Sequence, residues 1–148
     1  MMFQGQVRTA IDHKGRTSVP SRFRDGLLEP SDRTFVLGAS LDPCLVAFAA
    51  PTWREFCAKL AALPDHDANG RAARRWYLGG AFVLSLDGQG RVLVPPALRS
   101  WAAIRREAIW VGVGDHVEIW DPDRWNETVQ KFLTDPGAVS TALANKGL

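Results

Sequence analysis

The sequence predicts an α+β protein, mainly β-strands with helices, in which two tandem units fold into one barrel about an approximate two-fold axis. The stretch IDHKGRTSVP at 11–20 is followed 75 positions later by LDGQGRVLVP at 86–95. Around both stretches the chain shows the same order of patterns: strand, strand, short helix, strand, strand. A motif that recurs together with its surroundings indicates a duplicated structural unit.

The first unit begins with a strand, because apolar and polar residues alternate from Val7 to Ile11. Asp12 to Gly15 then predicts a tight turn, since an aspartate side chain accepts backbone N–H bonds and glycine tolerates positive φ. Arg16 to Val19 forms the returning strand. Pro20 ends that strand and favours the start of a short helix. We expect the remaining elements at 23–27 for the helix and at 35–37 and 44–48 for two further strands.

The second unit follows the same order. Its helix begins after Pro95 and Pro96 and carries Leu98, Trp101 and Ile104 on one side. Its strands are predicted at 81–86, 91–94, 109–113 and 117–120, with a tight turn at 87–90.

A longer helix is predicted after each unit. Thr52 to Glu55 has the form of a capping box, in which a hydroxyl and a carboxylate cap the start of a helix. Asp121 followed by Pro122 is typical of an N-cap and a first helical turn. Apolar residues then recur at helical spacing and are interpreted as core or subunit contacts: Trp53, Phe56, Leu60 and Leu63 in the first helix, and Trp125, Val129, Phe132 and Leu133 in the second.

These patterns divide the chain into a first repeat at 6–53, a helical connector at 54–80, a second repeat at 82–125, and a C-terminal helix and tail at 126–148. Within the connector, a helix is predicted at 71–78 with Arg71, Arg74 and Arg75 on one side. Those arginines either face solvent or a neighbouring subunit, or they contact nucleic acid. The tail from Thr134 is rich in small residues and is expected to fray.

Composition excludes several classes of protein. The 148 residues carry 18 basic and 16 acidic side chains, a net charge of +2, and fourteen of the basic residues are arginines. No apolar run reaches the ~18 residues of a membrane span, and no secretory signal pattern opens the chain. We therefore expect a cytoplasmic protein without membrane contact. Cys44 and Cys57 lack a second pair and are interpreted as small apolar side chains rather than zinc ligands.

Neither an enzyme nor a metal or cofactor site is predicted. His13, His66 and His116 lack the spacing of metal ligands. Asp12 and Asp87 could pair as catalytic carboxylates, but neither turn contains the Asp-Thr/Ser-Gly sequence of aspartic proteases. A nucleophile elbow and a phosphate-binding loop motif are also missing from the sequence.

The duplication has a physical reason. A unit of about 45 residues with four short strands buries too little apolar surface to be stable alone, so each copy needs the other. A two-fold axis between the copies places the two turns side by side on one surface. Each turn then displays an arginine directly after its glycine, and matched cationic groups suit a duplex with repeating phosphates.

The paired motif resembles that of the MraZ family of bacterial transcriptional regulators. Asp-x-x-Gly-Arg, followed by a strand and a proline, occurs in both units. The opening Met-Phe-Gln-Gly, the sequence RRWYLGGA before the second unit and VEIWD near its end fit the same family pattern. The resemblance covers residues 2 to about 133 and implies a swapped-hairpin barrel of the AbrB type, with two half-barrels fused in one chain. It also implies ring-shaped homo-oligomers, often of eight subunits or more.

The resemblance further implies a sequence-specific DNA-binding regulator with a cytoplasmic, nucleoid-associated location. Family members bind short direct repeats in double-stranded DNA upstream of the operon for division and cell-wall synthesis. Their own gene begins that operon, and they usually repress it. The alternative is a non-catalytic assembly module, or an antitoxin-like protein that binds a partner protein through the same fold.

Arg16 is predicted to be the main DNA contact. Its alternative role is an ion pair with Asp12 that fixes the turn, and the two roles can coexist. Arg91 either meets DNA, holds the barrel together or contacts a neighbouring subunit. Asp12 and Asp87 are interpreted as turn-formers, which together with Gly15 and Gly90 match the family's motif. Assisting DNA contacts are predicted at Lys14, Arg8, Arg22 and Arg24, with Arg8 placed across the hairpin from Arg16.

Overall fold

The order of elements along the chain repeats as predicted. The computed structural model describes residues 2–148. The first unit and the connector comprise β1 (Phe3–Ala10), β2 (Arg16–Ser18), α1 (Ser21–Leu27), β3 (Thr34–Ala39), β4 (Leu45–Phe48), α2 (Ala50–Ala61) and α3 (Ala68–Tyr77). The second unit and the C-terminal part comprise β5 (Phe82–Ser85), β6 (Arg91–Leu93), α4 (Pro96–Ala102), β7 (Glu107–Gly114), β8 (Val117–Trp120), α5 (Pro122–Thr134) and α6 (Pro136–Ala144). The protein is therefore α+β, with two tandem ββαββ units.

The strands of the two units are interleaved. Six strands form one sheet in the order β1-β7-β8-β4-β3-β5, and β2 pairs with β6 in a separate two-stranded ribbon. Exchanging the two units maps this order onto itself, so an approximate two-fold axis passes between β4 and β8. At the edges, β1 runs antiparallel to β7 and β5 runs antiparallel to β3. Each unit thus gives its first strand to the other, which is the swapped arrangement that the family resemblance implies.

The β2–β6 ribbon packs on the six-stranded sheet through side-chain contacts. The hydrogen-bonded order of the sheet ends at β1 and β5, so its ladder is open rather than a continuous ring. The hydroxyl of Thr17 on β2 donates a 2.8 Å hydrogen bond to the hydroxyl of Thr9 on β1. Val92, the ladder partner of Thr17 on β6, is buried in the main core. The core therefore lies between the sheet and the ribbon.

Side chains of both units build the main core. Phe23 and Leu27 of α1 and Leu98 and Ala102 of α4 are buried in it. These four residues follow the two turns at the same offset, so the two short helices anchor the two turns to one shared interior. Burial of both helices against a single core explains why the units do not form separate domains.

The start of α2 differs from the prediction. The helix begins at Ala50, with Pro51 in its first turn, and its N-terminus has no side-chain cap. Thr52 therefore lies inside the helix, and the predicted capping box is wrong. Proline suits the first turn because its missing N–H removes a donor that would otherwise have no partner there. The N-cap predicted at Asp121 is confirmed, since its carboxylate accepts the backbone N–H of Arg124 at 3.1 Å.

Two other local features concern the second short helix and the tail. Trp101 turns away from the core, where its ring packs edge-to-face on Trp76 with centroids 4.9 Å apart. Within the tail that the sequence predicts to fray, Pro136–Ala144 form α6, which has no buried residue, and fraying stays a prediction. Pro136 begins this helix, and the alanines that follow have the highest helix propensity.

Cys44 is fully buried and Cys57 is half-buried, in keeping with their interpretation as apolar side chains. Burial raises the pKa of the Cys44 thiol to about 12. Over residues 2–148, no helix is both long and apolar enough to cross a membrane. The same residues contain no group of three or more His, Cys, Asp or Glu side chains that could hold a metal ion.

Candidate nucleic-acid interface

The two turns lie side by side, because each is bonded to the strand that follows the other. The backbone N–H of Val19 donates to the carbonyl of Gly90 at 3.2 Å. The backbone N–H of Val94 donates to the carbonyl of Gly15 at 2.9 Å. These reciprocal bonds extend the ribbon and place both turns on one surface. We call Asp12–Arg16 the first loop, Asp87–Arg91 the second loop, and both together the loop pair.

Asp12 organises the first loop. Its carboxylate accepts the backbone N–H groups of Lys14 and Arg16, each at 2.9 Å. It also accepts Nε of Arg16 at 2.7 Å. The ion pair with Asp12, considered above as an alternative role of Arg16, is therefore present. Only Nε takes part, and among residues 2–148 the two terminal nitrogens of this guanidinium have no hydrogen-bond partner.

The second loop has the same geometry. Asp87 accepts the backbone N–H of Gln89 at 2.8 Å and that of Arg91 at 3.0 Å. Nε of Arg91 donates to the same carboxylate at 3.0 Å. Nη1 of Arg91 also lies 4.0 Å from Oδ2 of Asp12, so this arginine bridges the two loops. Arg16 and Arg91 are each about 30% exposed and share the outer face of the ribbon, opposite the buried Thr17.

The glycine of each loop is required by its backbone and by its neighbour. Gly15 has φ +90° and Gly90 has φ +75°, a region that residues with a side chain rarely adopt. A Cβ added at Gly15 would lie 2.6 Å from Cζ of Arg99. A Cβ added at Gly90 would lie 3.0 Å from Nη2 of Arg24. A guanidinium from the opposite unit therefore fills the space beside each glycine.

The structure brings some of the predicted contact residues together and separates others. Lys14 is exposed at the tip of the first loop, and Arg24 lies beside the second. Arg22 packs instead against Gly5, five residues before the end of β1, or roughly 16 Å back along the strand. Arg8 forms a 2.6 Å ion pair with Glu107 on β7.

Arg8 does not lie across the hairpin from Arg16, so that prediction is wrong. The reason is the strand exchange: β1 pairs with β7 of the other unit, whereas β2 pairs with β6. Alternation along β1 directs Thr9 towards the ribbon and Arg8 to the opposite face. Contact of Arg8 or Arg22 with DNA stays a prediction.

Arg99 belongs to the loop pair and is missing from the sequence-based predictions. It follows Arg24 by the same 75 positions that separate Arg16 from Arg91. Applying that offset beyond the loop would have identified it. The equivalence is visible only when the helix after each loop is compared residue by residue, since the surrounding letters differ.

The carboxylates of the loop pair give a testable pH dependence. The backbone N–H of Arg16 is the main reason that the pKa of Asp12 falls from 3.8 to about 2, and the Arg16 side chain adds to this effect while burial opposes it. The pKa of Asp87 is lowered in the same way, chiefly by the backbone N–H of Arg91. Because the folded pKa is depressed, the stabilisation is complete above about pH 4 and is lost as pH falls through about 2.

We expect the side-chain carboxyl carbon of Asp12, followed by NMR, to titrate with a midpoint near pH 2. In Arg16→Ala the backbone bond persists, so the midpoint should rise only part of the way to the ordinary value. A wild-type midpoint at the ordinary value of an aspartate would contradict the hydrogen-bonded geometry of the first loop.

The sequence matches the family model described as "MraZ protein, putative antitoxin-like" twice, at residues 2–76 and 77–142. Many curated relatives carry the name "Transcriptional regulator MraZ", and three of them illustrate the similarity. The protein of Thermomicrobium roseum is 37% identical, over 97% of this chain and 98% of its own length. That of Acetivibrio thermocellus is 40% identical, over 98% and 96%. That of Pelotomaculum thermopropionicum is 42% identical, over 84% and 83%.

Proposed function

The chain belongs to the MraZ family, and from that premise we propose that it is a DNA-binding transcriptional regulator whose loop pair contacts double-stranded DNA. The names of its relatives support the regulatory role. The observation that carries the proposal is the pair of arginines, Arg16 and Arg91, which stand on one surface. Each is oriented by its own aspartate through Nε. Because the remaining N–H groups of Arg16 have no hydrogen-bond partner among the described residues, they are available to a ligand.

The charge of the loop pair favours an anionic partner. It contains two carboxylates, which are already paired with Arg16 and Arg91. Lys14, Arg24 and Arg99 add positive charge around them. A guanidinium fork fits both phosphate oxygens and the edge of guanine, whereas a mobile lysine suits phosphate. We therefore assign Arg16 to base or phosphate recognition and Lys14 to phosphate contact.

The two loops differ in the positive charge that they offer to DNA. The second loop carries Gln89 at the position of Lys14, and Arg91 is shared between Asp87 and Asp12. Arg91 therefore has less freedom to meet DNA than Arg16. We propose that the first loop provides most of the affinity and that Arg91 mainly fixes the spacing of the two loops.

We further propose that ring-shaped homo-oligomers bind short direct repeats upstream of the chain's own gene and repress the division and cell-wall cluster that the gene begins. One loop pair offers few cationic contacts and binds weakly at physiological salt. Several loop pairs in one assembly engage successive repeats at high effective concentration, provided that their spacing matches.

A mobility-shift titration with the chain's own upstream DNA tests this function. Reducing the operator from several repeats to one should lower the affinity by a factor on the order of 100, because multivalent binding is lost. A fragment of equal length and base composition with shuffled repeats is the matched control. Equal affinity for the native and shuffled fragments would contradict sequence-specific binding.

A protein-binding role is the second candidate. Phe132 and Leu133 are neighbours on α5, and both are half or more exposed. Such a surface suits a protein partner or another subunit. The same mobility-shift titration separates the candidates, since a module that binds only protein leaves both DNA fragments unshifted.

A further inference from the structure

We propose that Arg24 and Arg99 are positioning residues, each of which fixes the loop contributed by the opposite repeat. Arg99 in the second repeat fixes the first loop, and Arg24 in the first repeat fixes the second loop. The consequence for DNA binding rests on the proposed function, whereas the crossed control of the loops can be measured without DNA.

Arg99 links three parts of the molecule. Its Nε donates to the carbonyl of Val94 at 3.0 Å. The N–H of the same Val94 donates to the carbonyl of Gly15. A Cβ at Gly15 would lie 2.7 Å from Nε and 2.9 Å from Nη2 of Arg99, so the guanidinium rests directly on the first loop. Removing this side chain opens a gap beneath Gly15 and weakens the segment that bonds to it.

Arg24 makes the equivalent set of contacts. Its Nη2 donates to the carbonyl of Val19 at 2.8 Å. The N–H of Val19 donates to the carbonyl of Gly90, against which the same guanidinium lies. Nε of Arg24 is buried, and within the described part of the chain it has no hydrogen-bond partner. This nitrogen faces protein rather than solvent, so the guanidinium is placed to support the second loop.

The two arginines stand on helices that are anchored in the core, whereas the tips of the loops are exposed. α1 is fixed in the core by Phe23 and Leu27, and α4 by Leu98 and Ala102. The loop tips are exposed, and the ribbon between them is only three residues long in each strand. A side chain that recognises DNA loses affinity when its support allows small displacements. Arg24 and Arg99 supply that support from helices of the opposite unit.

Because each arginine supports the loop of the opposite repeat, substitutions of Arg24 and Arg99 are expected to weaken DNA binding to different extents. Arg24 lies in the same repeat as Lys14 and Arg16, yet it supports the less basic second loop. Arg99 lies in the other repeat, yet it supports the loop that carries both cations. Substitution of Arg99 should therefore weaken DNA binding more than substitution of Arg24.

Amide hydrogen exchange tests the crossed control without DNA. In Arg99→Ala, exchange at Gly15 and Arg16 should accelerate about tenfold, while exchange at Gly90 and Arg91 stays near the wild-type rate. Arg24→Ala should give the reverse pattern. A merely destabilised fold accelerates all four amides together, and this outcome, or acceleration in the loop of the same repeat, would overturn the proposal. Arg99→Lys and Arg24→Lys provide milder variants with the same expected pattern, should alanine disrupt folding.

Salt dependence separates positioning from direct contact. Arg99→Ala should lower operator affinity about tenfold, and Arg24→Ala about threefold, without changing the slope of log affinity against log salt concentration. A residue that binds phosphate directly would instead reduce that slope by about 1 when it is substituted, which would overturn the positioning role. Arg54→Ala, on the exposed side of α2, controls for the change in charge. If wild-type protein fails to bind the operator, the proposed function fails, while the exchange pattern still decides the role of both arginines.

Discussion

Arg16→Ala is expected to reduce affinity for the operator by a factor of roughly 10 to 100. A bidentate arginine is worth ~1–3 kcal/mol of discrimination between bases, and Arg16 has the geometry for such a contact. Asp12 holds Nε at 2.7 Å, and this bond fixes the direction in which the other N–H groups point. The reduction should exceed that for Arg91, whose guanidinium is shared between two carboxylates.

The role of Arg16 follows from measuring specific and non-specific affinity in parallel. If Arg16 reads bases, affinity for the operator falls and affinity for unrelated DNA changes little. If it contacts phosphate alone, both fall together and the salt dependence becomes shallower. Arg16→Lys keeps the positive charge and removes the guanidinium fork. Arg54→Ala removes one positive charge from the exposed side of α2, outside the loop pair. Unchanged binding by a folded Arg16→Ala protein would contradict the assignment.

The turn geometry could be predicted from the sequence because it is local. Asp12, Gly15 and their equivalents Asp87 and Gly90 define the turn by side-chain acceptance of N–H groups and by positive φ. The order of strands and helices followed from periodicity for the same reason. These features depend on residues within four positions of one another. They can therefore be predicted from the sequence without knowledge of the tertiary structure.

The pairing of strands could not be predicted from the same patterns. Alternation shows which face of β1 is buried, but it does not identify β7 as its partner. The resemblance to a known family, rather than periodicity, supplied the exchange of strands. The error at Arg8 has this origin, because it assumes that β1 and β2 pair as an ordinary hairpin. The start of α2 was missed because Pro51 and Thr52 offer competing helix starts within two residues.

Only some residues of the loop pair and its surroundings could be predicted, because the others contact the loops only in the tertiary structure. Arg16 and Arg91 belong to the repeated motif and were identified from it. Arg99 contributes through its packing on Gly15, which crosses the two-fold axis from 84 positions away along the chain. No local pattern marks such a contact, although the 75-residue offset from Arg24 marks the residue itself.

Trp110→Ala is expected to lower the free energy of unfolding by about 3–5 kcal/mol, the range for removing a large aromatic side chain from a core. Trp110 on β7 is fully buried. Its indole N–H donates to the hydroxyl of Thr9 on β1 at 2.9 Å, and the same hydroxyl accepts Thr17 of β2. The side chain therefore joins β7 of the second unit to β1 of the first unit and, through the Thr9 hydroxyl, to β2. A decrease of this size is a large share of the roughly 5–15 kcal/mol that stabilises a typical domain.

Denaturant unfolding followed by circular dichroism measures this decrease, with Trp101→Ala as the matched control. Trp101 is partly exposed, and its removal should cost about 1 kcal/mol because the edge-to-face packing on Trp76 disappears. Trp110→Phe keeps most of the ring and removes the N–H donor, so its cost should fall between those of the two alanine variants. Because one core serves both units, wild type and variants should unfold in a single transition reported equally by probes in either repeat. Two separate transitions would show that each repeat is stable by itself, and would remove the physical reason for placing two loops on one scaffold.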